Sequence, residues 1–236
     1  MSIVGLALYG SRAREDHDED SDVDLLAVTT AGVPRATAAH DHIAIASYPC
    51  DEVIGSARRG DLFALHIVTE AKVLYEAWPV FEEMQRAFTY RADYGREVKM
   101  ASDVGWFLLR YRSRFSDGRL FNEKIAWCTR TILIARAAGA RRPAFSAAGL
   151  ARFSGSPRVA ALIRNKGCGD VDGQLLEAFG EVLTTFGAAV PLVPTTLGEQ
   201  WRIFEAERNG PGMAAVLGMK KQSHAGSIAA ESGESA

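Results

Sequence analysis

The stretch LYGSRAREDHDEDSDVDLL, residues Leu8 to Leu26, sets a dense cluster of acidic residues between two apolar segments. Seven of the ten residues from Glu15 to Asp24 are acidic. A run of like charges is usually a solvated loop, and that interpretation suits Glu15–Asp20. The flanking segments Ile3–Tyr9 and Val23–Thr29 are apolar runs bounded by turn or polar residues, a pattern that predicts two short buried strands.

Asp22 and Asp24 do not fit a solvated loop. They alternate with apolar residues at the entrance to the second strand, so period-two geometry puts both carboxylates on one face. Two ionised carboxylates held together are costly unless a cation lies between them, and Mg²⁺ bound to carboxylates and substrate phosphates satisfies this arrangement. An EF-hand calcium loop is excluded, because its sixth position is Ser21 instead of glycine and its twelfth is Ala27 instead of glutamate.

The first predicted strand ends in a glycine turn, Gly10-Ser11, with Arg12 and Arg14 beside it. Glycine allows close approach of the backbone, and a serine hydroxyl with adjacent amides can hold a phosphate oxygen. The sequence therefore predicts a phosphate-binding turn at the end of one strand and a metal site at the start of its neighbour.

Gly10-Ser11 followed by Asp22-x-Asp24 resembles the motif of the DNA polymerase β-like nucleotidyltransferase superfamily. The longer strings GSRAR and SDVDLL resemble its small bacterial branch, the minimal nucleotidyltransferases, and the resemblance covers about residues 3–76. It implies Mg²⁺-dependent transfer of an NMP from an NTP to an acceptor, with release of pyrophosphate. Gly10 and Ser11 would hold the triphosphate, and Asp22 and Asp24 would bind Mg²⁺. Arg12 would neutralise phosphate charge, or else be an ordinary exposed arginine.

The mechanism implied by this resemblance uses a third carboxylate on a later strand, near Ala44 or Ala46. The predicted strand 42–48 contains no acidic residue. Asp41, one residue before it, is the first candidate for this catalytic role, and Glu70, on a later predicted helix, is the second. An alternative stays open, in which the chain is a catalytically degenerate nucleotide-binding or antitoxin-like regulatory protein that lacks the third carboxylate.

The predicted fold class is α+β, with a small mixed-sheet, palm-like nucleotidyltransferase domain followed by an all-α helical bundle. Pro79 ends the β-containing part, and helical spacing dominates after it, with Phe81–Ser116 broken only weakly around Gly95. From Asn209 the chain becomes rich in Gly, Ser and Ala. The predicted parts are a nucleotidyltransferase domain over 1–78, a helical bundle over 79–208 and a flexible tail over 209–236.

The middle of the chain is basic. Residues 124–169 contain nine Lys or Arg residues and no Asp or Glu. If these side chains converge on a cleft, they would attract RNA, another polyanion or the NTP itself; if they are scattered, they are ordinary solvent-facing residues. The acceptor of the NMP is accordingly left open between a small molecule, a protein hydroxyl and an RNA end.

The bulk composition excludes several classes of protein. An apolar fraction of 47% and a charged fraction of 24% are those of a globular protein. No apolar run approaches the roughly 20 residues that span a bilayer, and the N-terminus lacks the basic stretch of a secretory signal, so a cytoplasmic protein is expected. Three isolated cysteines support neither a zinc site nor a disulfide framework. The absence of histidine from residues 80–208 excludes a catalytic HEPN ribonuclease, whose chemistry needs one.

Overall fold

A computed structural model describes residues 2–19, 21–32, 35–39, 42–191, 194 and 196–219. The chain divides into two compact units. The first comprises Met1–Asp93 together with Ala138–Ser146, and the second comprises Tyr94–Ala137 together with Ala147–Ala236. The first unit is therefore not continuous in sequence.

The first unit is built on a five-stranded sheet whose strands follow the order β3-β4-β2-β1-β5. Its elements, in chain order, are β1 (Ile3–Tyr9), α1 (Gly10–Arg14), β2 (Val23–Thr29), β3 (Arg35–Ala39), β4 (Ile43–Pro49), α2 (Cys50–Arg58), α3 (Leu62–Glu70), β5 (Lys72–Glu76) and α4 (Val80–Ala87). Strands β2 and β4 are parallel, and the other neighbouring pairs are antiparallel. The mixed sheet and the helices that follow it confirm the predicted α+β fold class.

One face of the sheet carries the core of this unit. Ala7 on β1 and Leu26 and Val28 on β2 are fully buried, and they pack with apolar side chains of α2, α3 and α4. Along β2 the first three residues are partly buried and the last four, Leu26–Thr29, are all buried. Asp24 lies two residues before Leu26, at the end of this same face.

The first unit extends beyond the predicted boundary at residue 78. Helix α4 buries Val80, Phe81 and Met84 in the core of the sheet. A Cβ added at Gly5 on β1 would lie 2.9 Å from Val80 Cγ1, so the helix packs directly on the strand backbone. Pro79 ends the β-structure, as predicted, but the apolar face of the next helix still belongs to the sheet.

The second unit is helical. Its elements are α5 (Gly95–Arg110), α6 (Gly118–Gly139, whose last two residues belong to the first unit), α7 (Ala147–Ser154), α8 (Arg158–Arg164), α9 (Gly173–Phe186) and α10 (Leu197–Ala206). Asp172 caps the start of α9, and Thr196 with Glu199 forms a capping box on α10. The region 81–116, predicted as one weakly broken helical stretch, is instead two helices, α4 and α5, with non-helical residues between them.

Residues 210–219 form a further helix in place of the flexible tail predicted from residue 209. Its Ala215 and Val216 are buried. Asn209 fixes its start, because its side-chain oxygen accepts from the Gly212 N–H and its amide donates to the Met100 carbonyl. The predicted tail from residue 220 onward lies outside the described residues. No helix among the described residues is long and apolar enough to cross a membrane.

Candidate functional site

The turn between β1 and α1 brings an aspartate against a glycine. Gly10 has a φ of +76°, a left-handed conformation that favours glycine. A Cβ added at Gly10 would lie only 2.4 Å from Asp24 Oδ2. The carboxylate of Asp24 therefore occupies the space that the side chain of any other residue at position 10 would fill. Glycine is required here both by the backbone conformation and by the lack of space.

Asp22 and Asp24 lie at the same end of β2. Asp24 is paired with Tyr9, the last residue of β1, and is partly buried. Asp22 precedes the strand by one residue, its side chain is 52% exposed, and its Oδ1 lies 3.6 Å from His42 Nδ1. The period of two along a strand predicts that both carboxylates face the Gly10 turn. The structure records this close approach for Asp24, and the same orientation of Asp22 stays a prediction.

Arg12 holds the acidic loop. Its Nε and Nη2 donate to the carbonyl oxygen of Ser21 at 3.0 and 2.8 Å. Ser21 in turn accepts with its hydroxyl from the Asp18 N–H, which closes the loop. Because Ser21 directly precedes Asp22, the guanidinium fixes the backbone that carries the first carboxylate. The predicted phosphate contact of Arg12 stays a prediction, and the contacts of this residue give it a positioning role.

Arg14 links the Gly10 turn to helix α3 through Glu70. Its Nη1 donates to Glu70 Oε2 at 2.7 Å, and His66 Nε2 lies 2.9 Å from the same oxygen. The ring of His66 stacks on Phe145, with centroids 4.4 Å apart. Both carboxylate contacts are largely buried, since the side chains of Arg14 and Glu70 are 15% and 13% exposed. The Glu70 carboxylate therefore contacts one residue of α1, Arg14, and one of α3, His66.

The environment of Glu70 makes stability depend on pH. Burial alone would raise the pKa of Glu70, but the close His66 and Arg14 side chains outweigh it and hold the pKa below its usual value. A lowered folded-state pKa means that the stabilisation is present above the unfolded-state pKa and is lost as the pH falls through the folded-state value. We expect the free energy of unfolding to fall less steeply between about pH 5 and 3 in Glu70→Gln than in the wild type. Chemical denaturation across this range measures it, with exposed Glu177→Gln as the control; identical slopes for wild type and Glu70→Gln would contradict the pairing.

The two positions near which the family resemblance places a third carboxylate, Ala44 and Ala46, both lie on β4. Ala44 on β4 is in parallel register with Asp24 on β2, so the two side chains point to the same face of adjacent strands. Among the described residues, no group of three His, Cys, Asp or Glu side chains is arranged to hold a metal ion. Glu70, the second sequence candidate, therefore does not join Asp22 and Asp24. Asp41, the first candidate, lies outside the described residues.

Tyr9 adds a neutral group beside Asp24. Burial raises the pKa of Tyr9 to about 12, and the negative charge of Asp24 and the nearby Tyr48 add to the effect. The phenol therefore stays protonated at every physiological pH. Its ring makes edge contacts with Phe63 and His66 at centroid distances of 5.6 Å.

Replacing Gly10 by alanine tests the close approach of Asp24. The left-handed conformation costs a non-glycine residue about 1–2 kcal/mol, and the added Cβ must also displace the Asp24 carboxylate. We expect Gly10→Ala to lower nucleotide affinity at least about tenfold, a loss of about 1.4 kcal/mol or more of binding free energy. Isothermal titration with ATP and Mg²⁺ measures it.

Gly155→Ala is the matched control, because Gly155 has a similar φ of +69° but no atom within 4 Å of an added Cβ. This variant pays the conformational cost alone and should bind ATP like the wild type. Equal affinities for Gly10→Ala and Gly155→Ala would show that Asp24 tolerates a side chain at position 10.

The basic stretch 124–169 is divided between the two units, and some of its arginines contact other residues of the protein. Arg136 donates to the carbonyl oxygens of Phe186 and Gly187 at 2.7 and 3.1 Å, at the C-terminal end of α9. Arg158 pairs with Glu181 at 2.5 Å. These contacts are internal to the second unit.

Arg141, in the first unit, lies over the ring of Tyr90, with 4.4 Å between its guanidinium carbon and the ring centroid. Like Arg136 and Arg158, it has a structural partner of its own.

Residues 2–83 match the family model of the nucleotidyltransferase domain. The N-terminal part of the chain is therefore a nucleotidyltransferase domain, which confirms the superfamily resemblance. Among solved structures, the chain is similar to a nucleotidyltransferase-like protein from Exiguobacterium sibiricum 255-15, at 13% identity over 89% of this chain and 83% of that chain, with a TM-score of 0.31. So low a score adds nothing to the assignment, which rests on the match over residues 2–83. No curated protein matches the chain.

Proposed function

We propose that the first unit binds an NTP together with one Mg²⁺ ion and transfers its NMP to an acceptor. The observation that carries the proposal is the packing of the Asp24 carboxylate against Gly10, with Asp22 two residues earlier on the same strand end. In the transfer, an acceptor oxygen or nitrogen forms a bond to the α-phosphorus. The bond from that phosphorus to the bridging oxygen breaks, and pyrophosphate leaves.

Each residue of the site has a distinct task in this proposal. Asp22 and Asp24 supply hard oxygen ligands, the donor set that Mg²⁺ prefers, and the ion would neutralise charge on the phosphates. Gly10, having no side chain, lets the chain pass close to the triphosphate, and Ser11 offers a hydroxyl to a phosphate oxygen. Arg12 and Arg14 hold the loop and the turn in place through Ser21 and Glu70.

The described residues fit one metal ion and not two. A two-metal site needs further ligands to clamp both the attacking and the leaving oxygen. The neighbour of Asp24 on β4 is Ala44, which supplies none. We therefore propose a slow transferase, because the described residues supply no general base, and the lack of one typically costs about 10²–10⁴ in rate without abolishing the reaction. Asp41, which lies outside the described residues, is the sequence candidate for this role.

A second candidate function is nucleotide binding without turnover, and the alanine in register with Asp24 favours it. In that case the domain would act as a regulatory module whose state depends on the bound NTP. The two functions share the same binding site and differ only in the chemical step.

The acceptor that we propose is RNA or another polyanion, bound by exposed cations of the basic stretch. Arg152, Arg164 and Lys166 are exposed and belong to this stretch. Exposed cations attract a polyanion through the charge of its backbone, in a salt-dependent way.

Two assays on the full chain separate these functions. Titration of each NTP, with Mg²⁺ and with EDTA, measures binding; release of pyrophosphate, with and without added RNA, measures transfer. Mg²⁺-dependent binding with slow release supports the transferase. Binding without release supports the regulatory candidate, and failure to bind any NTP contradicts both.

A further inference from the structure

Strand β5 forms an open, apolar edge of the sheet. In the sheet order it lies at one end and has β1 as its neighbour within the described residues. All five of its residues are exposed. Val73, Leu74 and Tyr75 are 48%, 57% and 51% exposed, and Trp78, two residues beyond the strand, is 50% exposed. Sheet edges present free backbone N–H and C=O groups, and an apolar one is a ready site for another strand.

We propose that a second copy of this chain pairs with this edge, β5 against β5, antiparallel about a two-fold axis at Leu74. An interface between identical copies must be self-complementary, so each residue needs a suitable partner on the same strand of the other copy. Centred on Leu74, Lys72 lies opposite Glu76 of the second copy, and Val73 lies opposite Tyr75. The first pair has opposite charge, and the second joins a β-branched to an aromatic side chain; both combinations stabilise antiparallel strands.

The charge pattern also selects this register. A register that sets Lys72 opposite itself, or Glu76 opposite itself, places like charges directly across from each other, which is destabilising. Only the arrangement centred on Leu74 satisfies both charged residues in both copies. The pairing extends each five-stranded sheet into one continuous sheet.

Leu74 has a particular reason to lie at the axis. The register between β1 and β5 shifts between Leu6 and Ala7, which pair with Tyr75 and Val73, so Leu74 is left without a partner on β1. It is also the most exposed large apolar residue of the strand. At the axis, the two copies of Leu74 pack against each other and are shielded from solvent.

The charged ends of β5 have contacts within the chain that the pairing can accommodate. Lys72 Nζ lies 2.5 Å from Glu15 Oε1, in an ion pair whose side chains are 50% and 76% exposed. Exposed ion pairs of this kind contribute little to stability, so Lys72 can exchange partners at small cost. Glu76 accepts the Phe81 N–H with one oxygen. A carboxylate has capacity for further hydrogen bonds on its second oxygen.

Analytical ultracentrifugation of the full chain tests the proposal. We expect a monomer–dimer equilibrium in the wild type. Lys72→Glu and Glu76→Lys should each raise the dimer dissociation constant about tenfold, because each sets like charges opposite each other twice per dimer. The double variant Lys72→Glu/Glu76→Lys restores opposite charges and should dimerise like the wild type. It still lacks the Lys72–Glu15 pair, so its recovery cannot come from that contact.

Leu74→Lys should abolish the dimer by placing two ammonium groups at the axis. Val190→Lys is the matched control, since Val190 is 59% exposed and lies in the second unit. Circular dichroism and thermal unfolding show which variants are folded, and the double charge variant keeps the test decisive even if Leu74→Lys unfolds. A wild type that stays monomeric at all concentrations overturns the proposal, as does a dimer that the charge variants leave unchanged.

Discussion

Changing Asp22 and Asp24 together to asparagine is expected to abolish Mg²⁺-dependent nucleotide binding while leaving the fold intact. Asparagine keeps the volume of each side chain but removes the two negative charges that hold the ion. Loss of residues that merely support metal ligands costs about 10–100-fold in affinity, so loss of two ligands should exceed about 100-fold. Isothermal titration of ATP with Mg²⁺ measures the loss, and a thermal unfolding curve shows that the variant is folded.

The acidic loop provides a matched control for this double variant. Asp18→Asn with Glu19→Gln removes the same charge from the exposed loop a few residues before Asp22. If binding depends only on the general negative potential of the loop, the control will lose as much affinity as the double variant at positions 22 and 24. Undiminished ATP affinity in Asp22→Asn/Asp24→Asn would contradict the proposed site.

Replacing Ala44 by aspartate is expected to raise the rate of pyrophosphate release by about 10²–10⁴, the usual contribution of a positioned general base. Position 44 is in register with Asp24 on the neighbouring parallel strand and faces the same side. A carboxylate there would complete a set of three around the nucleotide. Without metal, the added charge repels Asp22 and Asp24, so Mg²⁺ should raise the melting temperature of the variant more than that of the wild type.

Ala44→Asn is the control for this gain of function, because asparagine has the same size and shape without the charge. It should show neither faster release nor a larger effect of Mg²⁺ on the melting temperature. A rate in Ala44→Asp equal to that of the wild type, in a folded variant, would mean that a missing third carboxylate does not limit turnover. Asp41 would then be the residue to replace.

The sequence predicted the elements that apolar patterning determines. Strands β1 and β2 lie at the predicted positions and β4 within one residue of them, because each is an apolar run between turn or polar residues. Strand β3 was not predicted, since its sequence RATAA has little intrinsic strand preference and forms a strand through its backbone pairing with β4. Helix α1 was not predicted either, because its five residues are too few to show a helical period.

The site could be predicted in part for similar reasons. A glycine turn and two alternating aspartates leave a signal in sequence, and the structure brings Gly10 and Asp24 together. The hydrogen bond from Arg12 to Ser21 leaves no signal in the sequence, because its acceptor is a backbone carbonyl and every residue has one. Glu70 could be listed as a candidate carboxylate, but only its distances to Arg14 and His66 show that it is engaged elsewhere.

The discontinuous first unit sets an order of events during synthesis. Its last segment, Ala138–Ser146, is separated from Asp93 by the 44 residues Tyr94–Ala137 of the second unit, which take roughly 2–9 s to translate at about 5–20 residues per second. During this interval the partner that stacks on His66, Phe145, has not yet been made. The first unit of the nascent chain therefore reaches its final form only after the whole of the second unit's first segment, Tyr94–Ala137, has been made.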